Sequence, residues 1–230
     1  MVSIVVPTLN EAAVLPLTLA AVRSAADGRV YEIIVADGGS TDGTLEVAQA
    51  LGCACLRAPR AQRAAQMNAG AAGAHGSVLL FLHADTLLPR GALGSVETAC
   101  GRAGVAGGGF ARRYQSPSRW LRLTCWLAEW RNHWFGWHLG DQALFVRREV
   151  FEQLGGFSDF DVFEDVDFSR RLARAGAVRT LYPRVVSSAR RFAGRGPFRR
   201  SLADAWLMLR YLLGASPHVL HQARAGTPGL

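Results

Sequence analysis

Four times within the first hundred residues, a short apolar run rich in β-branched side chains gives way to a polar turn and then to a helix-forming stretch. SIVVP (3–7) precedes LPLTLAAVRSA (15–25), where Pro16 suits a first helical turn; YEIIVAD (31–37) precedes TLEVAQAL (44–51). CACLRA (53–58) precedes QRAAQMNAGAAGA (62–74), and SVLLFLHAD (77–85) precedes GALGSVETAC (91–100). Such alternation specifies the α/β class, with a central, mostly parallel sheet flanked by helices on both faces. Ligands of such sheets bind beyond the carboxyl ends of the strands. The turns found there, PTLNE, DGGSTDGT, RAPRAQR and HADT, are the places to look for chemistry.

The second half is less regular. GVAGGGFARRY (104–114) reads as a glycine-loosened strand, 118–139 as a tryptophan-rich helix and GDQALFVRREVFEQLGGF (140–157) as strand then helix. A helix over 163–176 stopped by Gly176, a strand in TLYPRVVSSARR (180–191) and a last helix over 198–214 complete the order. We expect one domain over 1–214: a nucleotide-binding half (1–100), an acceptor-side half (101–196) and an apolar C-terminal helix (197–214). A tail (215–230) follows, and its end, ARAGTPGL, is expected to fray.

With 230 residues, half of them apolar, the chain can bury a sizeable core. The net charge is +8 and all 26 basic residues are arginine. Arginine suits phosphorylated partners, but an alanine- and glycine-rich composition accounts for the bias equally well, so charge alone selects no function. Four cysteines without CxxC pairing imply buried free thiols rather than a disulfide or zinc scaffold. The opening MVSIVVPTLNEA lacks a basic leader region, which leads us to expect a cytoplasmic protein. Asp204 and Arg210 interrupt the most apolar late segment, so any membrane contact is expected to be peripheral, at the inner face of the cell membrane.

Asp37 ends an apolar strand and precedes two glycines, a geometry that presents a carboxylate at the sheet rim to a nucleobase. Ser40, Thr41 and Asp42 suit a helix-capping role. Asp85 ends another buried strand, where one oxygen donor can hold Mg²⁺ or Mn²⁺ against phosphates. His83, two residues earlier, could ligate metal, touch a ribose or simply pack. Glu164, Asp165 and Asp167 crowd the start of a helix carrying Arg170 and Arg171. Acids are favoured there by the helix dipole, yet mutual repulsion could also raise one pKa towards that of a general base. Phosphate-loop and dinucleotide fingerprints are lacking.

PTLNE, DGGSTDGT, HADT and FEDVDFSRRL, in this order and spacing, resemble the inverting family 2 glycosyltransferases of the GT-A fold, a Rossmann-like nucleotide-diphospho-sugar transferase architecture; the similarity covers about residues 2–175. The resemblance implies transfer from a nucleoside-diphosphate sugar to a hydroxyl acceptor, small or lipid-linked. By it, Pro7, Thr8, Asn10, Glu11 and Asp37 form the base and ribose pocket, Arg60 and Arg63 lie near the diphosphate, and His83 joins the donor site. Asp85 holds a divalent cation, Mn²⁺ or Mg²⁺, and Asp165 deprotonates the acceptor beside Glu164. The family's metal motif usually reads Asp-x-Asp, and here its first acid is His83. Gly140, Asp141 and Gln142 resemble acceptor-side residues, and Arg190 and Arg191 could clamp a diphosphate or phosphorylated acceptor. The short chain, HADT, GDQ and SSARR look most like a compact bacterial group associated with arsenosugar biosynthesis. The QxxRW motif and membrane helices of processive synthases are absent, which implies single transfers.

Five of the six tryptophans fall in one segment, and Trp126, Trp130, Trp134 and Trp137 are spaced four, four and three apart on one helical face. Core packing, a sugar-stacking platform, and a membrane or homodimer contact all fit that pattern. The last helix, with Trp206, Leu207, Leu209, Tyr211, Leu212 and Leu213 among Arg199, Arg200 and Arg210, poses the same choice. Two alternative classes remain at this level. A nucleotidyltransferase would normally carry a glycine-rich, lysine-bearing signature, which is missing. A basic RNA-binding protein lacks an RNP-type motif here and leaves Asp37, Asp85 and Asp165 unexplained, so no nucleic-acid partner is expected.

Overall fold

A computed structural model describes residues 1–194 and 196–226. Its strands are β1 (Val2–Thr8), β2 (Tyr31–Asp37), β3 (Ala54–Arg57), β4 (Val78–Phe81), β5 (Thr86–Leu87), β6 (Val105–Tyr114), β7 (Leu144–Arg147) and β8 (Ala177–Ser187). The helices are α1 (Leu15–Ala26), α2 (Thr44–Ala50), α3 (Arg63–Ala72), α4 (Ala92–Cys100), α5 (Arg119–Phe135), α6 (Arg148–Gln153), α7 (Glu164–Ala175), α8 (Pro197–Leu212) and α9 (Pro217–Gly226). All eight strands form one sheet in the order β3-β2-β1-β4-β7-β6-β8-β5.

β1 through β4 pair in parallel, as the strand–helix alternation requires. The second half is mixed: β7 runs antiparallel to both β4 and β6, β8 is parallel to β6, and β5 is antiparallel to β8. From β1 the chain travels one way to β2 and β3, whereas β4 lies on β1's other side. A crevice opens beyond the carboxyl ends of strands at such a reversal.

The central strands are buried on both faces, and their side chains alternate between two cores. Ile4, Val6, Leu80 and Leu82 pack with Leu15, Leu19 and Val22 of α1 and Leu93 and Val96 of α4. Val5, Leu79 and Phe81 face the other way, towards Met67 of α3 and Phe151, Phe157, Phe168 and Leu172. Each such side chain contributes roughly 1.5–3 kcal/mol by leaving water, so these two cores fix the height of every turn above them. The glycines of β6 permit close strand approach: a Cβ at Gly108 would lie 1.9 Å from the Arg179 carbonyl oxygen, and one at Gly107 would lie 2.3 Å from that of Phe145.

Three details differ from expectation. The tryptophan-rich helix stops at Phe135, where Gly136 turns with φ +67°, so Trp137 lies beyond the helix. Trp126, Trp130 and Trp134 are more than half exposed, which excludes them from the core. The tail is helical over α9, started by Pro217 and docked through fully buried Leu220 against Val162 and Leu207. Residues 227–230, the end of the segment expected to fray, lie outside the described residues. The four cysteines are free thiols, as expected, although Cys53 and Cys55 are only partly buried.

Candidate active site

The crevice at the β1/β4 reversal is a cavity of about 750 Å³. Pro7, Thr8 and Glu11 after β1, Arg63 and Gln66 of α3, and His83 and Asp85 after β4 line it. So do Asp141, Glu164 and Asp165, and Arg190 and Arg191 after β8, so segments distant in sequence converge on one opening. Inner-face residues of α8, including Ser201, Asp204 and Met208, and Leu220 and His221 of α9 close the far side.

The first two turns brace one another. Asn10 adopts a left-handed backbone (φ 56°); its side-chain oxygen accepts the Thr41 N–H at 2.9 Å, and its own N–H donates to Ser40 Oγ at 2.8 Å. Asp42 accepts the Ala12 N–H at 3.0 Å and the Thr44 N–H at 3.1 Å, in keeping with a structural role. Gln66 Nε2 ties the ends of β1 and β2 together through the carbonyls of Thr8 (2.6 Å) and Ala36 (3.0 Å). Asp37 is fully covered. Its carboxylate accepts from Thr8 Oγ1 (3.2 Å) and from the Gly39 and Ser40 N–H groups (2.8 Å each). Burial would raise its pKa, but these bonds and the Ser40 hydroxyl lower it, so the group is a carboxylate. Asp37 therefore organises the turn beside the cleft, and a base would have to displace Ser40 to reach it.

Across the opening, Arg190 joins two of the predicted site residues. Its guanidinium donates to both Glu11 carboxylate oxygens, one of them at 2.7 Å, and its Nε stands 3.1 Å from Asp85 Oδ2. The Glu11 contact raises the Arg190 pKa, so the bridge is cationic. Arg191 donates to the Tyr114 hydroxyl at 3.0 Å and lies over the Phe192 ring. Burial is the main cause that raises the Asp85 carboxyl, and Arg190 opposes it.

His83 is neutral: burial, reinforced by Arg63, pushes its pKa down to about 3. Its Nε2 is buried without a hydrogen-bond partner and presses against Gly140, where a Cβ would sit only 2.5 Å away. The three acids at the start of α7 have separate environments. Asp167 is held by Ser158 (2.7 Å) and Arg171, which gives it a structural role. Glu164 is buried and pairs with half-exposed Arg63 at 3.1 Å. Burial and the neighbouring Asp165 push its pKa up to about 7, against the pull of Arg63. Asp165 faces the cleft, its Oδ2 accepting the Gly140 N–H at 2.7 Å and its Oδ1 the Val166 N–H at 2.8 Å. The preceding Phe163 carries φ 65°, an uncommon backbone for a bulky residue and one that re-aims the chain where these acids begin.

Five predicted residues stay out of the cleft lining: Asn10 and Asp37, held in the turns described above, Gly140, and Arg60 and Gln142. Arg60 pairs with Asp159 at 2.9 Å, both side chains exposed, and Gln142 is fully buried. The Gln142 amide donates to the Phe110 carbonyl (3.0 Å) and accepts from Arg131 (2.7 Å) and the Leu139 N–H (3.1 Å), which spends it on the scaffold. Asp141 does line the cleft, but its carboxylate is taken by buried Arg112, whose Nη1 donates to both oxygens, and by the Tyr114 hydroxyl at 2.8 Å. Burial would raise the Asp141 pKa, and Arg112 and Arg191 hold it well below the usual carboxylate range. Sequence reasoning missed Arg112, Tyr114, Arg131 and Gln66. A signal for the first two existed: Phe110, Arg112 and Tyr114 alternate onto one face of a buried strand, where an arginine needs an anionic partner.

The chain resembles known proteins over most of its length. The model of "Glycosyl transferase family 2" matches residues 3–178. PGL/p-HBAD biosynthesis glycosyltransferases of Mycobacterium bovis and Mycobacterium tuberculosis are 32% identical over 213 residues, covering 84% of this chain and 78% of theirs. A mannosyltransferase of Pyrobaculum calidifontis, solved with GDP-Man and Mn²⁺, superposes with a TM-score of 0.70 at 22% identity, over 96% of this chain and 68% of its own. S. aureus TarS 1-349 in complex with UDP-GlcNAc gives 0.65 at 14% identity, over 81% of this chain and 58% of its own. With the family model spanning most of the chain and the fold shared with these structures, this protein belongs to glycosyltransferase family 2 and is a glycosyltransferase of the GT-A fold.

Proposed function

We propose that the chain transfers a sugar from a nucleoside-diphosphate sugar to a hydroxyl acceptor, with inversion at the anomeric carbon. The observation that carries this reading is that one cleft holds three arginines suited to phosphate, Arg63, Arg190 and Arg191, a carboxylate suited to a cation, Asp85, and an accessible carboxylate, Asp165. GDP-Man and UDP-GlcNAc bound to the structural relatives support a donor of this class. Asp165 would take the proton of the acceptor hydroxyl while that oxygen attacks the anomeric carbon. The bond to the diphosphate oxygen breaks from the opposite face, so a single displacement inverts the centre and the nucleoside diphosphate leaves. The arginines meet its growing charge.

Among the described residues, no group of three or more His, Cys, Asp or Glu could hold a metal ion unaided. Asp85 nevertheless fits the usual arrangement for Mn²⁺ or Mg²⁺, in which one or two carboxylates suffice and substrate phosphates supply further oxygens; neutral His83 adds no opposing charge. Bound there, a divalent cation would supply charge neutralisation at the departing diphosphate. Asp85 now meets a guanidinium instead, so Arg190 would have to release it when donor and cation enter.

Calorimetry with UDP, GDP and dTDP, each with and without Mn²⁺, beside a short RNA, tests the reading. We expect binding of at least one nucleoside diphosphate, strengthened by Mn²⁺, with that strengthening lost in Asp85→Ala. RNA binding without nucleoside diphosphate binding would contradict it and favour the basic RNA-binding alternative.

A further inference from the structure

α5 and α8 lie side by side, joined at one end by Trp120 and Phe198, whose rings are 4.7 Å apart. Each helix buries one face. α5 turns Leu121, Cys125, Ala128 and Asn132 inward, and α8 turns Leu207 inward. Each presents the opposite stripe to solvent: Leu123, Trp126, Leu127, Trp130 and Trp134 on α5, and Phe198, Leu202, Trp206 and Leu209 on α8, continued by Leu213. The four tryptophans are 56–62% exposed and Leu213 is 78% exposed. Residues of this size would be inside if the monomer could cover them, and two adjacent unpartnered stripes form a surface built for something.

Charge identifies the occupant. Exposed Arg119, Arg122 and Arg199 stud the two stripes, while among the described residues neither stripe exposes an Asp or Glu. The carboxylate of α5, Glu129, is held by Arg184 at 2.7 Å and by Tyr182. That of α8, Asp204, is on the cleft side, 3.4 Å from Arg200. A two-fold contact with a second copy would oppose arginine to arginine without an acid to meet either. An anionic bilayer supplies negative headgroups to the arginines, an apolar layer to the leucines, and the interfacial region that indoles favour. No helix among the described residues is long and apolar enough to cross a membrane, so such contact is peripheral.

We infer that the α5/α8 face docks the protein onto an anionic phospholipid surface. α8 then separates bilayer from cleft, with Ser201, Asp204 and Met208 on one side and Trp206 and Leu209 on the other. The inference does not depend on the sugar-transfer reading.

Co-sedimentation of the full chain with phosphatidylcholine vesicles, with and without 30% phosphatidylglycerol, tests it. Each arginine near an anionic surface strengthens partitioning about fivefold, so three predict roughly a hundredfold preference for the charged vesicles, reduced by salt. Brominated lipid should quench tryptophan fluorescence in the unmodified protein. Trp130→Glu with Trp206→Glu should abolish pelleting while leaving thermal unfolding in place, since both side chains are exposed. Arg119→Glu, Arg122→Glu and Arg199→Glu together should erase the preference. Absence of pelleting and quenching would overturn the inference, as would equal binding to both vesicle types. A concentration-dependent dimer in light scattering, broken by the tryptophan variants, would overturn it in favour of a second copy.

Discussion

Asp165→Asn should lower the transfer rate by roughly 10²–10⁴-fold, the range that a positioned general base contributes, while nucleoside diphosphate affinity stays unchanged. The geometry gives the reason for both halves. Asp165 lines the cleft, and backbone N–H groups of Gly140 and Val166 fix one bond to each oxygen, leaving each with a further lone pair. Asparagine preserves size and can keep one of those bonds, so the start of α7 should stand; what it loses is the capacity to take a proton. Glu164 has a pKa pushed up to about 7, which would suit a base, but it is a poor replacement because its carboxylate is almost wholly buried against Arg63. Near-normal turnover in Asp165→Asn would mean that another group is the base.

The largest stability effect is expected at Arg112→Leu. Arg112 and Asp141 are nearly buried, with side-chain exposures of 8% and 14%, and the pair joins β6 to the turn before β7. Removing one partner of a buried pair typically costs about 3–5 kcal/mol, and here it leaves the Asp141 carboxylate with only the Tyr114 hydroxyl and the field of Arg191 to offset its charge. At roughly 2–4 °C per kcal/mol for a chain of this size, the midpoint of thermal unfolding should fall by about 6–20 °C. Arg112→Leu combined with Asp141→Leu should recover much of that loss, because the orphaned charge is gone. The pH dependence has a definite sign. Asp141 is held below its unfolded value of about 4, so its contribution is complete above that pH and is lost on acidification through the lower folded pKa. Arg112→Leu should therefore flatten the acid side of the stability curve. A loss below about 1 kcal/mol, the value typical of a surface ion pair, would show that the pair is solvated.

Much of the fold is legible because strand periodicity and turn chemistry are local. The alternation through residue 100 predicts β1 to β4 and the helices between them, and the apolar runs ending at Pro7, Asp37 and Asp85 mark the rim of the cleft. Local signals fail where the partner is distant. Arg190 lies 179 residues from Glu11, so its bridge to Glu11 and Asp85 follows from the β5/β8 pairing and from no motif. The Asp141 environment depends on Arg112 across the sheet in the same way. Asp37 is the converse case: Asp-Gly-Gly-Ser invites a ligand contact, and in this structure the turn's own N–H and hydroxyl groups also hold the acid, which no single-residue signal foretells. Periodicity placed the tryptophans on one face of α5 but carries no information on whether that face looks inward. The helix α9 has no local signal of this kind, because its docking rests on Leu220 meeting Val162 and Leu207.

The central claim, that the β1/β4 crevice is the donor site, is tested most directly by a crystal structure with a bound nucleoside diphosphate and Mn²⁺. The account predicts the diphosphate beside Asp85, the Arg190 contact to Asp85 broken, and Asp165 open to the remaining space. A nucleotide bound outside this crevice, or bound with the Glu11–Arg190–Asp85 bridge intact and its phosphates remote from Asp85, would contradict it.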